Sequence, residues 1–147
     1  MSNNPIIIFA DYAGTLDKHD SAALIKTLKS FKKEGALLYM ATDSSHNAAL
    51  SAEKALYYRG HINLFDDLIS ISSFGMMKCA ETYWQQAQSF VAQNKGSCDL
   101  SKAILIDDNQ KILDHAKENN LTIVSANNKM DVVAAELTQK YAQLKNA

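Results

Sequence analysis

Five short runs along the chain are almost wholly apolar: Ile6 to Ala10, Ala36 to Ala41, Leu68 to Ile71, Ala103 to Ile106 and Leu121 to Ser125. A strand with one wet face alternates apolar and polar residues; a strand covered on both faces does not. These runs therefore predict buried strands in a layered fold. Helical patterns fill the gaps. The first runs from a cap at Ser21 to Glu34, with Ala22, Ile25, Leu28 and Phe31 on one face and Gly35 just past its end. The others are Ser45 to Arg59, closed by Gly60, then Glu81 to Asn94, Gln110 to Asn119 and Met130 to Leu144. Strands alternating with helices predict βαβ units, hence an α/β fold with a parallel sheet and right-handed crossovers. Ligands in such sheets sit beyond the C-terminal ends of the strands, near a switch in strand order.

Composition narrows this picture. The 147 residues suit a single domain over 1–147, and 47% apolar residues suffice for its core. A net charge of −1, with no dense Lys/Arg cluster, argues against a nucleic-acid partner or a membrane surface. The start, Met1 to Pro5, lacks the basic and apolar regions of a secretory leader, and no run approaches the ~18 apolar residues of a membrane span. Cys79 and Cys98 do not have metal-ligand spacing and read as free thiols, with one disulfide as the alternative. The expectation is a soluble, cytoplasmic protein.

The strand ends carry the candidate chemistry. The first strand ends in Asp11, the second in Thr42, and the fourth in Asp107 and Asp108; Lys78 follows the third and is expected to open a helix. Each alone has an ordinary reading: an acid or hydroxyl as a helix cap, a lysine as a solvated surface group. Together they bring three carboxylates, a hydroxyl and an ammonium to one predicted crevice. Clustered carboxylates call for a cation, and oxygen-only ligands favour Mg²⁺. Mg²⁺, Lys and Thr together suit a phosphate group.

The order of these motifs resembles the haloacid dehalogenase (HAD) superfamily, mostly Mg²⁺-dependent phosphohydrolases, over nearly the whole chain. "IIIFADYAGTLD" resembles that family's first motif, an apolar strand followed by Asp-x-Asp-Gly-Thr-Leu, and "LLYMAT" resembles the second. Lys78 stands in the third, and "AILIDD" resembles the fourth. "ALYYRGHINLFDDLISIS" resembles the helix, glycine, loop and third strand between them. The resemblance implies a Rossmann-like three-layer sandwich, strand order 5-4-1-2-3, without a cap domain. It implies Asp11 as nucleophile forming an aspartyl-phosphate, and Thr42 and Lys78 on the phosphoryl oxygens, with Lys78 also offsetting the charge of Asp11. It implies Mg²⁺ on Asp11, Asp108, the backbone carbonyl of Ala13, and Asp107 directly or through water. Asp43, next to Thr42, would have its backbone N–H facing the phosphate.

Position 13 departs from the pattern. Phosphatases of the family use a second Asp there as general acid and base, which Ala13 cannot replace. Losing such help typically costs about 10²–10⁴ in rate, or ~3–5 kcal/mol of barrier. Three explanations stand: an acid replaced by Ala to slow turnover, a chemistry that never needed the acid, or a phosphate-binding module without catalysis. "DYAGT" resembles the phosphonate-hydrolase branch, and dehalogenases also lack the acid, but both insert a helical cap between the first two motifs. Thr15 to Thr42 is mostly one helix and leaves no room for it. Receiver domains of two-component signalling share the size and the Asp, Thr and Lys set, but there the acidic pair comes first and Lys last.

Other residues complete the expectations. Asp43 reads as a cap for "SSHNAAL", or else as a selector for a cationic or hydroxyl-rich substrate group. His46 reads as a solvated helix start or a leaving-group contact. Tyr83, Trp84, Phe90 and Val91 read as a buried helix face, and Asp114 as an outer contact to the acidic pair. Without a cap, the resemblance implies an open crevice taking a phosphorylated small molecule or phosphoprotein, or closed by a second copy acting as a lid.

Overall fold

The computed structural model describes residues 4–61 and 63–147. Met1 to Asn3, part of the start read for a leader, and Ile62 lie outside them. The five strands are β1 (Ile7–Ala10), β2 (Leu37–Ala41), β3 (Asp67–Ile69), β4 (Ala103–Asp107) and β5 (Thr122–Ser125). All pairs are parallel, in the order β3-β2-β1-β4-β5, which is the expected one. Receiver-type sheets run 2-1-3-4-5, so this topology removes the receiver alternative.

The helices are α1 (Ala22–Lys33), α2 (His46–Tyr58), the short α3 (Ile71–Phe74), α4 (Tyr83–Lys95), α5 (Gln110–Glu118) and α6 (Met130–Lys145). Alternation along the strands explains the layers. Ile8, Ala10, Leu38 and Met40 point to one side, where Leu24 and Leu28 of α1, Ala52 of α2 and Leu137 of α6 cover them. Ile7, Phe9 and Tyr39 point to the other, against Trp84, Ala87 and Val91 of α4 and Leu113 of α5. Tyr83, Trp84 and Val91 are buried as the sequence predicts, and Phe90 is partly buried. The Phe9 and Trp84 rings meet edge to face with centroids 5.3 Å apart. Between β1 and β2 stand only a kinked turn, Tyr12–Leu16, and α1, so no cap domain is inserted there.

Two boundaries differ from the sequence reading. The third strand stops at Ile69, because Ile71 begins α3 and its N–H donates to the Ser44 carbonyl at 3.1 Å. Ser21 does not cap α1 with its side chain; fully buried, its Oγ accepts from Arg59 Nη2 at 2.9 Å. Cys79 and Cys98 are free, and no helix among the described residues is long and apolar enough to cross a membrane.

Candidate active site

The strand ends are stitched together by backbone bonds just past the last sheet residues. Asp11 N–H donates to the Ile106 carbonyl at 3.0 Å, Thr42 N–H to Ile69 at 2.9 Å, and Ala126 N–H to Asp107 at 2.9 Å. This pairing sets Asp11 beside Asp107 and leaves Thr42 on the adjacent strand end, as the sheet order requires.

After Asp11 the chain turns sharply. Ala13 is extended (φ −65°, ψ 127°) and Gly14 is left-handed (φ 74°), a pair that suits a tight turn with Gly in its second position. Asp17 holds the turn by accepting from Gly14 N–H at 2.7 Å. Gly14 is needed for a second reason: a Cβ there would collide with the Asp108 carboxylate. The turn therefore lies directly on Asp108.

Lys78 sits at the centre. It lies in the loop between α3 and α4, not at a helix start, and is 1% exposed rather than solvated. Its Nζ donates to the Ala41 carbonyl at 2.8 Å and to Asp107 Oδ2 at 2.5 Å, and lies 3.4 Å from Asp11 Oδ1. A buried ammonium is tolerable only with such partners. Asp107, fully buried, also accepts from Asn109 N–H at 3.0 Å. Oxygens of Asp11, Asp107 and Asp108 lie within 4.8 Å of one another. Burial pushes the Asp11 carboxyl up to about 7; Lys78 opposes this and Asp107 adds to it. Three crowded carboxylates with one ammonium leave a negative excess, and an oxygen-only donor set of this size fits Mg²⁺.

Thr42 is 5% exposed, and its Oγ1 accepts from Ser44 N–H at 3.1 Å, leaving the hydroxyl proton free to donate. Asp43 does not cap α2; Ser45 does, through Ala48 N–H at 3.2 Å. The Asp43 carboxylate instead accepts from the Lys78 backbone N–H at 2.7 Å. The His115 Nε2 ring nitrogen of α5 bonds the Ala80 carbonyl, two residues past Lys78, at 2.8 Å. The Lys78 loop is thus held on both sides. No motif marked His115; its place one helix turn before the end of α5 is a matter of tertiary packing. The Tyr83 hydroxyl is buried without a hydrogen-bond partner among the described residues, and burial plus nearby Asp43, Asp107 and Asp11 push its pKa up. His46 is an exposed first residue of α2, and Asp114 is exposed, bonded to Gln110 rather than to the acidic pair. Ala13 is exposed, and Asp17, which lines the same cleft, accepts from Gly14 N–H.

Comparison with known proteins finds no matching family model and no match among curated proteins. Solved structures do share the fold. An uncharacterized protein from Corynebacterium glutamicum superposes with a TM-score of 0.74 at 21% identity, over 93% of this chain and 95% of its own. The core domain of a proposed phosphoglycolate phosphatase from Streptococcus pneumoniae gives 0.67 at 13% identity, over 95% and 96%. A proposed HAD-hydrolase from Bacillus subtilis, YfnB, solved bound to magnesium, gives 0.56 at 14% identity, over 68% of this chain and 41% of its own. The fold is that of HAD-type hydrolases and phosphatases.

Proposed function

We propose that this chain is a capless member of the HAD superfamily with the site of a Mg²⁺-dependent phosphate-ester hydrolase, slowed at the proton-transfer step by Ala13. The observation that carries this is the meeting of Asp11, Lys78, Asp107 and Asp108 at one crevice, with Thr42 on the next strand end. Magnesium would be held by Asp11, Asp108 and the Ala13 carbonyl, and would offset the charge of the nucleophile and the phosphoryl oxygens. Both oxygens of Asp107 are already engaged, by Lys78 and by Asn109 N–H, which suits contact with the ion through water.

Asp11 would attack phosphorus, expelling the alcohol oxygen and leaving an aspartyl-phosphate that water then cleaves. Thr42 and Lys78 would hold the phosphoryl oxygens, and Lys78 would favour the ionised form of Asp11 against the effect of burial. With Ala at position 13, the leaving oxygen must take its proton from water. Phosphonate and dehalogenase chemistry fit less well, because only a short turn and α1 separate β1 from β2.

The test is Ala13→Asp assayed with an aryl phosphate and Mg²⁺. A rise of about 10² or more, abolished by Asp11→Asn, is expected. The second reading, a phosphate-binding module without turnover, is favoured by Ala13 and by the engagement of Asp17. It predicts phosphate and Mg²⁺ binding with no activity in either form.

A further inference from the structure

An open cleft of about 530 Å³ adjoins the crevice. Ala13 and Thr42 form the edge it shares with the crevice, and Tyr12, Ser44, Ala48 and Ala52 line it further out. In the proposed chemistry the residue at position 13 faces the departing oxygen, so the group attached to that oxygen must lie against Ala13 and extend along this cleft. Its volume matches that of sites for small organic ligands.

The charges along the cleft are one-sided. Among the described residues its lining contains no Lys, Arg or His, and Asp17 is the one charged residue in it. Two cations of the surrounding segments are committed elsewhere. Lys78 is buried against Asp11 and Asp107, and Lys18 Nζ donates to the Ala126 carbonyl at 2.6 Å and to that of Asn128 at 3.1 Å. A carboxylate entering here would face Asp17 and find no Lys, Arg or His among the lining residues. Tyr12, Ala48 and Ala52 offer apolar contact, while Ser44 and Thr42 offer hydroxyls.

We infer that this cleft is the leaving-group subsite, and that it selects phosphate esters of uncharged, largely apolar alcohols over esters whose leaving group carries a carboxylate. Phosphoglycolate belongs to the second class, so the preference would separate this chain from the phosphatases whose fold it shares. The inference rests on the proposed function, and the two fail differently.

The test uses the chain as it stands, with saturating Mg²⁺ and titration calorimetry of three probes: inorganic phosphate, phenylphosphonate and 4-carboxyphenylphosphonate. Phenylphosphonate should bind about fivefold or more tighter than phosphate, and about tenfold or more tighter than its carboxylated analogue. Ala48→Arg, an exposed helix position, should bring the two organic probes to near parity by giving the carboxylate a partner. Equal affinity for the two organic probes in the unaltered chain, or no gain of phenylphosphonate over phosphate, would overturn the inference while leaving the phosphate site intact. Failure of all three probes to bind would overturn the proposed function and this inference with it.

Discussion

The backbone N–H of Lys78 donates to the carboxylate of Asp43 at 2.7 Å. This bond ties the loop that carries the central ammonium to the end of β2, one residue past Thr42. Two of the proposed phosphate-holding groups thus share one anchor. Asp43→Ala in the Ala13→Asp background should lower kcat/KM by about tenfold or more, with folding retained. Asp43→Asn keeps an acceptor oxygen and should recover most of the loss. Steady-state kinetics on both variants check this; equal losses in Ala and Asn would mean that the negative charge matters rather than the bond.

Lys78 supports three groups at once, so its removal should be costly. Lys78→Met leaves Asp107 buried with one donor instead of two, and leaves Asp11 without its counter-charge. Breaking a buried pair from one side costs roughly 3–5 kcal/mol. Thermal melts should show a large fall in Tm without metal, and Mg²⁺ should restore more of it than it adds to the unaltered chain.

Stability without metal should depend on pH through Asp11. Its carboxyl moves from an ordinary 3.8 to about 7, chiefly by burial. The folded protein therefore keeps a proton that the unfolded chain gives up between those values. Stability falls as pH rises through that window and levels off above about 7. Asp11→Asn should flatten this slope and raise Tm at pH 8, a gain in stability at the expense of the nucleophile. Melts from pH 4 to 8 test it; an unchanged slope in the Asn variant would assign the dependence to other groups.

Gly14 is required twice, by a left-handed φ of 74° and by the Asp108 carboxylate against its α-carbon. Gly14→Ala should displace Asp108 and weaken Mg²⁺ binding by about tenfold to a hundredfold, as read by calorimetry. Full metal affinity in this variant would place the ion away from Asp108.

The strands, their order and the acidic strand ends were legible because each has a local or motif-level signature. Runs such as Ile6 to Ala10 are apolar on both faces, and Asp11, Thr42 and Asp107 each follow such a run. What escaped depends on contacts between distant segments. Lys78 is legible as a site residue, but its burial in a loop rather than at a helix start is not, because three strand ends supply its partners. Asp43 reads as a cap because it stands just before a helix, and only the fold brings the Lys78 amide to it. Ser21 reads as a cap for the same reason, and Arg59 claims it. His115 carries no motif, because a bond to the Ala80 carbonyl is set by how α5 packs.

The most direct test is a crystal structure of the chain grown with Mg²⁺ and beryllofluoride, a mimic of the phosphoryl group. The account predicts beryllium bonded to a carboxylate oxygen of Asp11, fluorides contacted by Thr42 Oγ1 and Lys78 Nζ, and one metal ion facing Asp108. An adduct on another residue, or a metal bound away from Asp11 and Asp108, would contradict it.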